Sequence, residues 1–509
     1  MKETYAIELK NVTKCFGKVI ANDQVNLNIK SGEILAILGE NGSGKTTLMN
    51  ILSGIYYPDK GQIFVGGKEV SIRSPKDSFD LGIGMIHQHF KLVDVITAAE
   101  NIILGLPGKT ILDMKSVTQE IDALTLKYGF ELDPNEKIYN MPVSKKQTVE
   151  IVKMMYRGVN ILILDEPTAV LTPQETETLF TVLKNMKEAG HSIIIITHKL
   201  KEVLSISDRV MVLRKGKYAG TVPTKEATES SLTEMMVGKK VELNIERPLP
   251  VGPEKRLEVR NLSCCNGENV KMLDKVTFTA KSGEILGIAG VAGSGQKELF
   301  EAIAGLQKIE EGEIILWSKE GKEENVTGMK VSEIKKNNIH FSFVPEDRLG
   351  MGLVGDMGMI GNMMLRSYRT GGFFFTDRRR PRKLAEDLVG KLGIVTPDVV
   401  TPVRKLSGGN VQKVLVGREI SSNPEVLMVA YPVRGLDIHA SHTIYHLLNE
   451  QKKNGSAVLC VAEDLDVLLE LCDRIMVLCA GEVSGIVDAR TAVKEEIGLL
   501  MTKAGGKHA

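Results

Sequence analysis

The chain is 509 residues long, with 43% hydrophobic and 25% charged residues and a formal net charge of +1. That length exceeds one hydrophobic core and suits two domains of about 250 residues each. The balanced charge excludes bulk attraction to nucleic acid or an anionic surface, and the longest aliphatic runs fall short of the ~20 residues that span a bilayer. The N-terminus carries no apolar signal region. Six cysteines (Cys15, Cys264, Cys265, Cys460, Cys472, Cys479) show no Cys-x-x-Cys pair and no zinc spacing, and read as free thiols of a reducing cytosol.

In chain order, the first signal is an apolar run over 34–38, expected as a strand covered on both faces. It feeds Gly39-Glu-Asn-Gly-Ser-Gly-Lys-Thr46 and a helix over 46–52. This is the phosphate-loop pattern in its proper setting, after a strand and opening a helix. Glycines let successive N–H groups face one concavity, and the helix N-terminus favours an anion. Lys45 is then placed for the β- and γ-phosphates and Thr46 for Mg²⁺. The run 161–164 predicts a second buried strand that ends at Asp165, a candidate metal carboxylate. Glu166 follows, positioned to orient or deprotonate an attacking water. Helices are predicted over 174–189 and 199–206 and a strand over 193–196. The alternation predicts an α/β domain with a largely parallel sheet.

The chain then repeats itself. Gly32-Glu-Ile-Leu-Ala-Ile-Leu-Gly39 recurs as Gly283-Glu-Ile-Leu-Gly-Ile-Ala-Gly290, and Asp208-Arg-Val-Met-Val-Leu213 as Asp473-Arg-Ile-Met-Val-Leu478. A Pro-rich stretch at 245–253 reads as a linker. The expected organisation is a first domain over 1–242, a linker over 243–255 and a second domain over 256–504. A growing offset places insertions in the second copy around 351–358 and 369–382. The basic run Arg378-Arg-Arg-Pro-Arg-Lys383, after Phe373-Phe-Phe375, reads as a solvated loop that begins a helix, with contact to lipid headgroups or a permease as the second reading. Gly290-Val-Ala-Gly-Ser-Gly-Gln-Lys297 keeps the glycines, but Gln296 replaces Lys45, Lys297 replaces Thr46, and Ala430 and Tyr431 stand where Asp165 and Glu166 do. Efficient phosphoryl transfer is excluded there, whereas nucleotide binding by the surviving loop stays open.

The set formed by residues 39–47, Gln88, Asp165, Glu166 and His198 resembles the nucleotide-binding domains of ABC transporters, over essentially the whole chain, twice. The resemblance implies two tandem P-loop NTPase domains, each with a largely parallel sheet core, an antiparallel β subdomain and a helical subdomain. It implies ATP and Mg²⁺ as cofactors. The nucleotide would be held by Gly39, Asn41, Gly42, Ser43, Gly44, Lys45, Thr46 and Thr47, with Phe16 stacked on adenine. Thr46, Gln88 and Asp165 would serve the metal, and Glu166, His198, Lys45 and Gln88 the chemistry. In the second copy Asn266, Glu346 and Glu463 stand for Phe16, Gln88 and His198.

The family's signature is intact only in the second copy, as Leu406-Ser-Gly-Gly-Asn-Val-Gln412; the first copy has Met141-Pro-Val-Ser-Lys-Lys-Gln147. Domains of this family pair head to tail. The resemblance therefore implies a pseudo-dimer with one complete site, made of the first loop and acids and the second signature (Ser407, Gly408, Gly409, Gln412), and one degenerate site. Fused unequal halves resemble the ATPases of bacterial simple-sugar and nucleoside importers. The stretches Gly84-Met-Ile-His-Gln-His-Phe-Lys-Leu-Val93 and Val344-Pro-Glu-Asp-Arg348 lean to the nucleoside type, with a ribose- or galactose-type importer as the alternative. Implied partners are two integral-membrane permease subunits and, indirectly, a substrate-binding lipoprotein, with the chain peripheral on the cytoplasmic face of the cell membrane. A soluble tandem ATPase acting on ribosomes or DNA is the remote alternative, disfavoured by the short linker and the absence of coiled-coil arms.

Overall fold

The structure, a computed structural model, describes residues 5–17, 19–87, 91–106, 113–169, 171–197, 199–238, 245, 247–250, 252–291, 293–334, 340–368, 377–436, 438–462 and 464–502. It divides into two units, Met1–Glu242 and Leu243–Ala509.

In the first unit the strands are β1 (Tyr5–Phe16), β2 (Val19–Lys30), β3 (Ile34–Leu38), β4 (Lys60–Val65), β5 (Lys68–Val70), β6 (Ile83–Ile86), β7 (Ile161–Asp165), β8 (Ser192–Ile196), β9 (Arg209–Arg214) and β10 (Lys217–Pro223). The helices are α1 (Lys45–Leu52), α2 (Pro75–Asp80), α3 (Ala98–Ile103), α4 (Met114–Tyr128), α5 (Val143–Tyr156), α6 (Pro173–Glu188), α7 (Leu200–Ile206) and α8 (Glu229–Val237). One sheet is antiparallel, ordered β2-β1-β4-β5; the other runs β10-β9-β3-β8-β7-β6 and is parallel except at β10. Every residue of β3 and β8 is buried, because layers cover both faces of the sheet. One core joins the antiparallel sheet and α1 to one face (Ile7, Leu27, Ile37, Leu48), and another joins α6 to the opposite face (Leu164, Val182, Leu183, Ile195). A third lies among α3, α4 and α5 (Ile102, Ile121, Val149). Since β3 and β7 run parallel, with β8 between them, their carboxyl ends emerge along the same edge, where ligands of open α/β sheets bind.

The second unit repeats the plan. Its strands are β11 (Lys255–Cys265), β12 (Lys271–Lys281), β13 (Ile285–Ala289), β14 (Glu311–Trp317), β15 (Glu323–Asn325), β16 (Phe341–Val344), β17 (Val426–Ala430), β18 (Ala457–Val461), β19 (Arg474–Cys479) and β20 (Glu482–Asp488). Its helices are α9 (Gln296–Ile303), α10 (Val331–Ile334), α11 (Met359–Ser367), α12 (Arg379–Leu392), α13 (Gly408–Ile420), α14 (Ile438–Lys453), α15 (Leu465–Leu471) and α16 (Lys494–Thr502). The sheets are β12-β11-β14-β15 and β16-β17-β18-β13-β19-β20. A π-helical turn, Arg348–Gly352, leads into the stretch 351–358 expected as an insertion, while 369–376, with Phe373–Phe375, lies outside the described residues.

Part of the stretch expected as a linker is fastened to the second unit. Arg247 donates to the carbonyls of Leu469 and Cys472 at 2.7 and 2.8 Å, and Ile245 packs on its core. Among the described residues no helix is long and apolar enough to cross a membrane. All six cysteines are free thiols.

Candidate nucleotide site

Beyond β3 the chain turns through Gly39 to Gly44 before α1 begins. Two of these positions admit only glycine. A Cβ on Gly39 would lie 2.3 Å from the Leu213 carbonyl oxygen and 2.4 Å from Ser43 Oγ. Gly44 is at φ 95, and a Cβ there would meet the Ala21 oxygen at 2.3 Å. Asn22, fully buried, braces the loop by donating from Nδ2 to the Gly44 carbonyl at 3.1 Å. The Gly216 N–H pins the Ser43 carbonyl at 3.1 Å. Asn41, Gly42 and Thr46 are exposed and Thr47 half-buried, so the loop presents outward beside the first N–H groups of α1, which have no partner within the helix. Lys45 is 7% exposed, and its Nζ donates to the carbonyls of Gly39 at 2.6 Å and Glu40 at 3.0 Å.

Burial pulls the Lys45 pKa down, while the carboxylates of Glu166, Asp165 and Glu40 pull it back up. Burial pushes Asp165 up to about 6; the Glu166 charge adds to this and Lys45 opposes it. The ammonium and the two acids thus share one field, as the sequence pattern requires. Asp165 is the last residue of β7. Glu166 follows at φ 51, a left-handed conformation that costs a non-glycine residue about 1–2 kcal/mol, and its N–H donates to the Ile196 carbonyl at 2.9 Å. Phe16 ends β1, 43% exposed and edge-on to Tyr56 at 5.1 Å. Gln88 and His198 lie outside the described residues.

These donors fit a magnesium-bound triphosphate. Gly42 has open space where a side chain would stand, and Ser43 Oγ is buried with no partner among the described residues. Thr46 and Asp165 offer hard oxygens. Among the described residues no group of three or more His, Cys, Asp or Glu could hold a metal alone. Mg²⁺ keeps waters and takes one or two protein oxygens together with phosphates.

The second unit keeps the backbone and loses the chemistry. Gly295 is at φ 100, and the Gly481 N–H meets the Ser294 carbonyl at 3.2 Å, as Gly216 meets Ser43. Gln296 Nε2 reaches the Val291 carbonyl at 3.4 Å, and Lys297 lies 3.9 Å from Glu301. Tyr431 sits at φ 48 with its N–H on the Val461 carbonyl at 2.8 Å, the conformation of Glu166 without its acid. Arg434 pairs with Glu346 and lies 5.8 Å from the Tyr431 ring centre. Asn266 Oδ1 accepts from the Glu268 and Val270 N–H groups, a turn former where Phe16 stands in the first unit. Glu463 lies outside the described residues.

The two signatures differ in what they expose. Ser407 precedes α13 with Ser407 and Gly408 both exposed, and Asn410 donates to Ser407 Oγ at 2.9 Å. In the first unit Pro142 precedes α5, and Lys145 and Lys146 are engaged with Glu136 and Asp94 at 3.0 and 3.1 Å. Gln412 is enclosed within its own unit. It is 1% exposed, with neither amide atom bonded to a described group.

Sequence reasoning missed the groups that hold the site in place. Asn101, fully buried, accepts from the Val93 N–H at 2.8 Å and donates to the Val93 carbonyl at 3.0 Å. Glu150 accepts from the Lys91 N–H at 3.1 Å. Together they fasten the chain that leaves Gln88 to α3 and α5. Asn362 and Arg418 do the same in the second unit, at Val354 and Gly352. Beyond Glu166, Thr168 donates to Glu202 and its carbonyl accepts from Lys199 at 3.0 Å. The available signal was an Asn beside Glu100 between the Ala and Ile pairs of α3.

The fold and this site define an ABC-type ATPase. The family description "ABC transporter" matches residues 22–169 and 273–432, and the chain belongs to that family. It is 40% identical over 506 residues to the nucleoside import ATP-binding protein NupA of Lactococcus lactis subsp. cremoris, covering 98% of this chain and 99% of that protein. It is 42% identical over 510 residues to the guanosine import ATP-binding protein NupO of Bacillus subtilis, covering 99% of each. The ribose import ATP-binding protein RbsA of Clostridium perfringens is 37% identical, with 97% of this chain and 98% of that protein covered. An archaeal ribosome recycling factor, aABCE1, solved with the stalk protein aP1, shares the fold at 17% identity and a TM-score of 0.60, over 94% of this chain and 90% of that one.

Proposed function

We propose that the chain is the ATP-hydrolysing subunit of a nucleoside importer, peripheral on the cytoplasmic face of the cell membrane. Its partners are two integral-membrane permease subunits, served by a substrate-binding lipoprotein. The observation that carries the catalytic half is the shared field of Lys45, Asp165 and Glu166 at the mouth of a glycine loop, in a chain whose second repeat has those side chains replaced. The transport half is supported by full-length relatives named for nucleoside and guanosine import. The sugar alternative keeps support from the ribose-importer relative at 37% identity. The likeness to the ribosome recycling factor reaches the fold alone.

In this reading Lys45 swings from the Gly39 and Glu40 carbonyls onto the β- and γ-phosphates, and the loop N–H groups orient them. Thr46, Asp165 and Gln88 hold Mg²⁺, which when bound neutralises charge on the transferred phosphoryl group. Glu166 takes the proton of the attacking water, His198 contacts the γ-phosphate, and Phe16 stacks on adenine. Ser407 Oγ and the Gly408 and Gly409 N–H groups complete the site from the second unit's signature. Glu166→Gln tests this: reconstituted with its permeases, the variant should bind ATP normally and lose hydrolysis by about 100-fold or more. Near wild-type turnover would overturn the role of Glu166. Uptake of labelled sugar with no uptake of nucleosides would replace the cargo.

A further inference from the structure

α12 is anchored in the second unit by Pro381, Ala385, Leu388 and Leu392, all buried. It packs on α13 so closely that a Cβ on Gly417 would stand 2.9 Å from Leu392 and 3.0 Å from Leu388. Its opening turns carry Arg378, Arg379, Arg380, Arg382 and Lys383, all exposed. Among the described residues only Arg382 of these five has an ion pair, with Glu386 at 3.8 Å, and both partners are more than half exposed.

The fold does not need this charge. α4 takes the same place in the first unit, between the buried-Asn helix and the signature helix. It starts at Asp113, whose carboxylate accepts from the Lys115 and Ser116 N–H groups. α12 starts at Arg378, whose own side chain makes no cap bond, and Asp377 just before it accepts from the Arg379 N–H at 2.8 Å. Cations there face the positive end of the helix dipole and repel one another. Since the cluster weakens its own helix, its use lies outside the unit. Net charge over the whole chain is +1, so attraction to an anionic surface comes from local clusters and not from bulk charge.

Successive helical residues are about 100° apart, so the five cations, interrupted only by Pro381, fan around the axis rather than line one face. A linear polyanion of fixed spacing pairs best with a stripe. A fluid layer of anionic headgroups can move to meet each cation of a fan, and clusters of this size attract acidic lipids. We infer that the opening turns of α12 dock on an anionic phospholipid surface. The inference rests on the reading that this ATPase works at a membrane.

The test is co-sedimentation of the full chain with vesicles of phosphatidylcholine alone or mixed with phosphatidylglycerol. Binding is expected only to the mixed vesicles and should fall with added salt. The combined variant R378Q/R379Q/R380Q/R382Q/K383Q should bind about 100- to 1,000-fold more weakly, with its melting temperature retained or raised and its basal ATPase retained. The control K60Q/K68Q/K76Q/K184Q/K215Q removes the same charge from exposed sites of the first unit and should bind as the parent does. Equal loss in both variants, equal binding to neutral vesicles, or preference for single-stranded RNA over vesicles would each overturn the proposal. Pull-down of permeases from detergent extract is scored separately. Retained permeases with no vesicle binding defeat the lipid surface and spare the import reading; the reverse result does the opposite.

Discussion

Glu166 at φ 51 and Tyr431 at φ 48 share one backbone turn past a buried strand, each tied to the neighbouring strand by an N–H bond of 2.8–2.9 Å. Strain of this kind persists where the surroundings over-determine it and gathers at functional sites. Here it survives in a unit whose acids are gone, so the turn is held by the sheet and the chemistry by the side chain alone. Residue identity was therefore legible in sequence: Lys45, Asp165 and Glu166 carry their reactivity in their own atoms. Their field was not. Asp165 has a folded pKa of about 6 against an ordinary value of 3.8, chiefly from burial. Because the folded value is raised, the charged form is disfavoured, and the chain is stabilised least above about pH 6. That penalty, at most about 3 kcal/mol, fades as pH falls toward the unfolded value. Asp165→Asn, melted without metal or nucleotide, should gain stability over the parent at pH 7.5 and little at pH 4.5. An equal gain at both would refute the raised pKa.

Elements followed the sequence where local rules govern and slipped by a residue where caps decide. The helix expected from 174 begins at Pro173, because Thr172 and Glu175 form a reciprocal capping box and proline suits the first helical position. The run over 161–164 became β7 with Asp165 included. The Asn101 and Asn362 clamps, by contrast, join residues eight apart across a turn, and no propensity or period marks them. Each amide meets both the N–H and the carbonyl of one backbone residue. Truncation leaves buried polar groups without partners, so Asn101→Ala and Asn362→Ala should each cost about 2 kcal/mol in denaturant unfolding. Losses under about 0.5 kcal/mol would mean that water replaces the amide.

At the scale of the whole molecule, the first unit has the sound phosphate loop and acids, and the second has the sound signature. If the units work as one composite site, Lys45→Ala and Ser407→Arg should each reduce hydrolysis by roughly 10²–10³ in the assembled transporter. Gln296→Ala and Ser144→Arg, the matching changes in the other pair, should leave it nearly unchanged. The four ATPase rates, with melting to check folding, decide the matter. Loss at Lys45 with full activity at Ser407→Arg would separate the two and end the composite reading.

By itself the sequence determined the duplication, the α/β class, the loop, the acids and their replacement in the second half, since each is written in contiguous residues with short-range rules. Only the tertiary structure decided which of them are enclosed. Gln412 is enclosed, and Asn22 and Asn101, which read as ordinary polar residues, brace the loop and the chain that leaves Gln88. It also set apart the cations of α12, exposed and largely unpaired among the described residues while Pro381 and the apolar residues after them anchor the helix. Burial and partnership depend on chain segments far apart in sequence, and no local pattern encodes them.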